Sequence, residues 1–134
     1  MVLLPIVSID HVGIASRSEQ SPLADAVTGE LLRGTRMPSG VTVAHFGPGD
    51  VLELVWPGPT GSPIDKFLER RGPGLHHLAL RVDDSLAELV ETLKAAGLEA
   101  TGRIEKSADG RSSVFLHPSG TGGVLIELVE GPPR

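Results

Sequence analysis

The sequence contains no cysteine, and its only aromatic residues are one tryptophan and three phenylalanines. The absence of cysteine excludes disulfides, thiolate metal ligands and a cysteine nucleophile. So few aromatic rings argue against a base-stacking surface for single-stranded nucleic acid. No apolar run reaches the roughly 18 residues of a membrane span, so we expect no transmembrane helix and no membrane partner.

Basic residues are too few and too scattered for a nucleic-acid partner. The chain has 12 Lys and Arg against 17 Asp and Glu, a net charge of −5, and no predicted element collects the basic residues. The N-terminus lacks the basic region of a signal peptide, so we expect a cytoplasmic protein. With 134 residues, the chain can form one domain or two half-sized modules that share a core.

A histidine within an apolar run occurs twice. Ile-Asp-His-Val-Gly-Ile-Ala surrounds His11, and Leu-His-His-Leu-Ala-Leu surrounds His77. Small residues follow at alternate positions, namely Gly13 and Ala15 in the first run and Ala79 in the second. Alternate residues of a strand share a face, so each histidine is predicted to lie beside small side chains that leave room next to it.

A glutamate within an apolar run also occurs twice, as Glu53 in Val-Leu-Glu-Leu-Val and Glu127 in Leu-Ile-Glu-Leu-Val. Burial of a carboxylate is unfavourable unless it is paired or binds a cation. Two histidines and two glutamates from equivalent strands would form an N2O2 site. Such ligands suit first-row divalent ions, and an octahedral ion would keep two positions open for a substrate.

Each of these residues also has a structural interpretation. A single histidine in an apolar strand is more often a hydrogen-bonded core residue, and a glutamate can face water on an edge strand. The recurrence of the pair in both halves favours the metal site. His76 should point away from His77 by strand parity, and His117 lies at a strand end before Pro118. His45 differs from the candidate ligands only by its position in the repeat.

The helix and strand signals predict an α+β protein of two βαβββ modules whose curved mixed sheets pack to form one open metal-containing cavity. We expect a single domain, 1–134, with module one at 6–57, a linker helix within 58–73 and module two at 74–130. The first module is predicted as a strand at 6–15, a helix from Ser21-Pro22 to Gly34, a weak strand near 36–40, and hairpin strands at 41–46 and 51–56. The residues predicted to be buried on its helix are Leu23, Ala26, Val27 and Leu31.

Between the modules, Ser62-Pro63 should begin the linker helix and Gly72 should end it. The second module is predicted as the His77 strand, a helix from Ser85 to Gly97, and strands near 98–105, at 112–117 and at 123–129, with a loop at 106–111. Ser85 and Glu88 are expected to form a capping box. The residues predicted to be buried on this helix are Leu86, Leu89, Val90 and Leu93.

Several motifs carry a family resemblance: Ile-Asp-His-Val-Gly-Ile-Ala at 9–15, Ser-Pro-Ile at 62–64, Gly-Leu-His-His at 74–77, Phe-Leu-His-Pro at 115–118 and Gly-Gly-Val-Leu-Ile-Glu-Leu at 122–128. By these motifs the chain resembles the vicinal-oxygen-chelate superfamily, and within it is similar to the methylmalonyl-CoA epimerases. The resemblance implies the metal ligands His11, Glu53, His77 and Glu127, with Glu127 also acting as a catalytic base. The implied ion is Co²⁺ first, with Mn²⁺, Ni²⁺, Zn²⁺ and Mg²⁺ as alternatives.

The resemblance further implies an acyl-CoA substrate, epimerisation at C2 through a metal-stabilised enolate, and a homodimer. The chain departs from the family at 37–41, Met-Pro-Ser-Gly-Val, where the epimerases carry a second carboxylate. Strand parity would put Thr42, Ala44 and Phe46 on the side of that carboxylate and His45 on the other, so His45 is not expected to replace it. The alternatives are a glyoxalase I-type lyase or isomerase and a small-molecule-binding protein without turnover.

Overall fold

The computed structural model describes residues 3–107 and 109–133. Within these ranges the chain forms eight strands and three α-helices. It divides into two compact units, which we call the first unit, His11–His76, and the second unit, residues 1–10 with 77–134. Among the described residues, no helix has both the length and the hydropathy that crossing a bilayer requires.

The first unit has the predicted βαβββ order followed by a helix. Its elements are the second half of β1 (Ile6–Ala15), α1 (Pro22–Thr28), β2 (Thr35–Arg36), β3 (Thr42–Phe46), β4 (Leu52–Trp56) and α2 (Pro63–Arg71). Strand β2 pairs antiparallel with β3, β3 pairs antiparallel with β4, and β4 pairs parallel with β1. Of the strand predicted near 36–40, only Arg36 lies in a strand, the two-residue β2.

Helix α1 ends earlier than predicted. Gly29 has a φ of 75°, and this left-handed conformation lets its N–H donate to the Asp25 carbonyl, 2.8 Å away, and close the helix. The predicted end at Gly34 is wrong, and so is the predicted buried stripe, because Ala24 is the buried residue of α1. The residues of that stripe that lie exposed are Leu23, Ala26, Val27 and Leu31.

The two faces of β4 pack into different parts of the core of the first unit. Leu54 and Trp56 lie in a buried cluster with Ala24 of α1, whereas Val55 packs against Leu68 of α2. Alternate residues of a strand point to opposite faces, so Glu53 shares the face of Val55. Glu53 therefore lies on the face of β4 that packs against α2.

The second unit repeats the βαβββ order, as predicted. Its elements are the first half of β1, most of β5 (Gly74–Val82), α3 (Leu86–Ala95), β6 (Glu105–Lys106), β7 (Ser112–Leu116) and β8 (Ile126–Glu130). Strand β8 pairs parallel with β5 and antiparallel with β7, and β6 pairs antiparallel with β7. Both units together confirm the α+β class and the two βαβββ modules. Ala108, in the predicted loop 106–111, lies outside the described residues.

Helix α3 buries Leu86, Leu89 and Leu93 against β7 and β8, as predicted, with Val90 partly buried beside them. The predicted capping box is wrong, because the Ser85 side chain makes no capping hydrogen bond. The Leu86 N–H instead donates to Glu130 Oε1 at 2.6 Å. A carboxylate from β8 therefore satisfies a free N–H group at the start of α3.

Candidate metal centre

His11 and Glu53 form the first His–Glu pair, inside the first unit. In the parallel register of β1 with β4, Glu53 lies opposite Gly13, two residues after His11 on the same face. Both side chains are buried, and His11 Nε2 lies 3.4 Å from Glu53 Oε2. Gly13, directly opposite Glu53, carries no side chain on this face.

His77 and Glu127 form the second His–Glu pair, inside the second unit. In the parallel register of β5 with β8, Glu127 lies opposite Ala79, again two residues after the histidine. His77 is buried, and its Nε2 lies 3.7 Å from Glu127 Oε1. The ring of Phe115, which lies opposite Glu127 across β7 and β8, contacts the His77 ring edge-on with a centroid distance of 5.4 Å. Each unit therefore brings together the histidine and the glutamate that the repeat predicted for it.

The donor atoms of each pair fit a divalent metal ion. Two ligand atoms that lie about 2.0–2.2 Å from one ion are about 2.8–3.6 Å apart at ligand angles between about 90° and 109°. The separations of 3.4 Å in the first pair and 3.7 Å in the second are close to this spacing. Imidazole nitrogen with carboxylate oxygen is also the donor set of first-row divalent ions. His11 with Glu53, and His77 with Glu127, are therefore the residues that could hold such an ion.

The chain matches a model of the Glyoxalase/Bleomycin resistance protein/Dioxygenase superfamily over residues 10–115. This range begins at the residue before His11 and extends over most of the chain. The chain belongs to this superfamily. The resemblance noted from the sequence motifs is thereby confirmed.

Among individual members of the superfamily, the chain is similar to methylmalonyl-CoA epimerases. The mitochondrial methylmalonyl-CoA epimerase of Dictyostelium discoideum is 35% identical over 129 residues, which are 91% of this chain and 77% of that protein. The crystal structure of methylmalonyl-CoA epimerase from Mycobacterium tuberculosis superimposes with a TM-score of 0.77 at 32% identity, covering 99% of this chain and 93% of that one. Uncharacterized protein YqjC of Bacillus subtilis (strain 168) is 36% identical over 128 residues, 91% of either chain.

His45 lies beside Glu53 of the first pair, contrary to the prediction that it faces the other side. Strands β3 and β4 pair His45 directly with Glu53, and His45 Nε2 lies 2.8 Å from Glu53 Oε2. Its ring also meets the His11 ring edge-on, with centroids 5.3 Å apart. Ala44 and Phe46, predicted on the side of the site, are buried in the cluster that contains Trp56.

The prediction is wrong because it takes strand parity from a carboxylate that this chain does not have. Directly opposed residues of antiparallel strands share a face, so the partner of Glu53 on β3 lies beside it. The hairpin turn at 47–50 sets β3 against β4 so that position 45 opposes position 53. Counting from Glu53 across that turn was the signal that could have found His45.

The other two histidines make packing and capping contacts. The His76 ring contacts the Phe67 ring of α2 edge-on, with a centroid distance of 4.9 Å. His117 is exposed at the start of the short 3₁₀ helix Pro118–Gly120, and its Nδ1 lies 2.8 Å from Ser119 Oγ. That neither histidine is a metal ligand stays a prediction.

A buried ion pair in the second unit was not predicted. Asp10, the residue before His11, is buried, and its Oδ1 accepts a hydrogen bond from Nη2 of the equally buried Arg111. Arg111 directly precedes β7, so this contact joins the first half of β1 to the start of that strand. An aspartate inside the apolar run of β1 was the available signal, but its partner lies 101 residues away.

Proposed function

We propose that this chain is a metal-dependent epimerase of methylmalonyl-CoA or a similar 2-substituted acyl-CoA. The single observation that carries the proposal is the equivalent His–Glu pair in each unit, in a chain similar to methylmalonyl-CoA epimerases. In this proposal His11, Glu53, His77 and Glu127 hold one divalent ion, Co²⁺ first, with Mn²⁺, Ni²⁺, Zn²⁺ or Mg²⁺ as alternatives. Four protein ligands leave two positions of an octahedral ion for the substrate.

The proton at C2 of such a substrate lies between two carbonyl groups. A bound divalent ion stabilises the negative charge that develops on an enolate oxygen when this proton leaves. Glu127 is the base that we propose to accept the proton, because its side chain is largely shielded from water beside His77. Return of a proton to the opposite face of C2 inverts its configuration and leaves the composition of the substrate unchanged.

The donor of that second proton is not a carboxylate from residues 37–41, since the segment has none. We therefore propose that water supplies it. If the second proton comes from solvent, inversion in heavy water should incorporate one deuterium at C2.

The test uses one epimer of methylmalonyl-CoA in deuterated water with Co²⁺-loaded protein, followed by NMR and mass spectrometry. We expect inversion with deuterium incorporation. At a Co²⁺ concentration that saturates the variant, Glu127→Gln should lose about 100- to 10,000-fold in rate, because the general base is removed. His117→Gln, which changes an exposed histidine outside both pairs, is the matched control and should keep the wild-type rate. The absence of exchange with Co²⁺, Mn²⁺, Ni²⁺, Zn²⁺ and Mg²⁺ alike would overturn the epimerase proposal.

A second candidate is a glyoxalase I-type lyase or isomerase, which the missing carboxylate at 37–41 favours. Such an enzyme acts on a different substrate that presents two neighbouring oxygen atoms to the ion. Conversion of the hemithioacetal of methylglyoxal and glutathione, with no exchange at C2 of methylmalonyl-CoA, would establish this alternative. Metal binding without turnover of either substrate would indicate a binding protein.

We also propose that the protein is a homodimer. Apolar side chains at the start of the second unit lie uncovered, with exposed fractions of 47% for Ile6, 49% for Val7 and 57% for Ile9. Val7 and Ile9 share one face of β1 and Ile6 lies on the other. Uncovered apolar side chains of this kind are ones that partners cover. A second copy of this chain is the partner that we propose for them.

A further inference from the structure

We propose that His45 is a positioning residue for Glu53, holding its carboxylate in the orientation that binds the metal ion. This inference rests on the proposed metal site and adds to it a residue outside the four proposed ligands. The imidazole of His45 would act through Glu53 and would not itself bind the ion. His45, Glu53 and His11 all lie within the first unit.

The first step is the fixed placement of His45 relative to Glu53. The two residues are directly opposed in the antiparallel pairing of β3 with β4, with Ala44 opposite Leu54 and Phe46 opposite Leu52 on either side. Backbone pairing of this kind sets the distance between opposed side chains. The backbone pairing of β3 with β4 therefore places His45 beside Glu53.

The second step concerns the partner of His45 Nε2. This atom is shielded from solvent and makes no hydrogen bond of regular angle with the described residues. Glu53 Oε2, at 2.8 Å, is an acceptor within reach, and a small rotation of the ring would align the N–H with it. A buried polar group left without a partner costs about 1–3 kcal/mol, so this alignment is favoured.

The third step is the effect on metal binding. A carboxylate oxygen has two lone-pair directions, so an N–H from His45 on Oε2 leaves the second direction, and the other oxygen, for a cation. The nitrogen that donates carries a proton and cannot be a ligand at the same time. His45 also packs edge-on against His11, so one side chain restricts the motion of both members of the pair. Partners of this kind typically change metal affinity by about 10- to 100-fold.

The test measures binding of Co²⁺ to metal-free protein by calorimetry. We expect His45→Leu to weaken binding about 10- to 100-fold, because it keeps side-chain bulk but removes the donor. His45→Gln should stay near the wild-type affinity, because its amide N–H can donate to the same oxygen. His117→Gln, an exposed histidine that bonds to Ser119, is the matched control and should bind as the wild type does.

A second measurement covers the case in which His45→Leu does not fold. Long-range ¹H–¹⁵N spectra of the metal-free wild type should find the proton of the neutral His45 ring on Nε2, with a resonance that shifts in Glu53→Gln. A proton on Nδ1 would overturn the proposal. If the wild type binds Co²⁺ and His45→Leu binds it equally well, the role of His45 is wrong while the metal site stands. If the wild type binds no divalent ion, the proposed function and this inference both fail.

Discussion

Gly13 and Ala79 are the residues that allow two glutamates to lie beside two histidines. Each is directly opposed to a glutamate across a parallel strand pair, Gly13 to Glu53 and Ala79 to Glu127. We expect a larger side chain at either position to crowd the carboxylate and the histidine two residues earlier. The small residues are therefore as much a part of the pairs as the polar ones.

Gly34 lies against the indole ring of Trp56, and we expect it to be hard to replace. A Cβ atom at this position would overlap both Trp56 and the methyl group of Thr42. Trp56 is held in a buried cluster and cannot withdraw without disturbing it. We predict that Gly34→Ala lowers the free energy of unfolding by about 1–3 kcal/mol, measured by urea denaturation.

Gly102→Ala is the matched control for Gly34→Ala. A Cβ atom at Gly102 would meet nothing within 4 Å, and neither glycine has a positive φ. The change in unfolding free energy at Gly102 should therefore stay within about 0.5 kcal/mol. Equal effects at the two positions would contradict the steric explanation for Gly34.

At the scale of elements, α2 and α3 each follow an N-cap serine, but the hydrogen bonds at the two helix starts differ. Ahead of α2, the Ser62 N–H donates to Asp65 Oδ2 at 2.5 Å, in a capping box formed within the helix itself. Ahead of α3, the Ser85 side chain makes no capping hydrogen bond. Glu130 of β8 instead accepts a hydrogen bond from the Leu86 N–H. At the start of α2 the capping hydrogen bonds are thus local, whereas at the start of α3 the hydrogen bond comes from a distant strand.

We predict that Asp65→Ala lowers the free energy of unfolding by about 0.5–2 kcal/mol, because it removes the acceptor at the start of α2. Ser85→Ala is the control and should change this free energy by no more than about 0.5 kcal/mol, since its hydroxyl caps nothing. Both values can be measured by thermal or urea denaturation. A loss at Ser85 as large as that at Asp65 would show that the hydroxyl of Ser85 caps α3 in solution.

At the scale of the whole molecule, we predict a dimer by size-exclusion chromatography with light scattering. Ile6→Lys and Val7→Lys place a charge on opposite faces of the uncovered part of β1, and at least one of them should yield a monomer, because burial of an unpaired charge is unfavourable. Leu23→Lys on α1 is the control, since Leu23 is similarly exposed, at 51%, but belongs to another surface. A wild-type monomer, or a dimer that survives both β1 variants, would contradict the proposed interface.

Much of the fold followed from local patterns in the sequence. Alternation of apolar residues located the strands that carry His11, Glu53, His77 and Glu127, and the repeat assigned each histidine its own glutamate. These assignments hold within each unit because side chains two residues apart on a strand share a face whatever surrounds the strand. Ser62-Pro63 likewise identified the start of α2, since its capping groups lie within four residues.

Contacts between distant segments decided what the sequence left open or predicted wrongly. The turn at 47–50 set the register that brings His45 to Glu53, and the fold joined Asp10 to Arg111 across 101 residues. Gly29 ended α1 where the apolar stripe alone would have continued it. Periodicity determines which face a residue occupies, but strand register and long-range pairing depend on the whole folded chain. They decided that His45 lies beside Glu53.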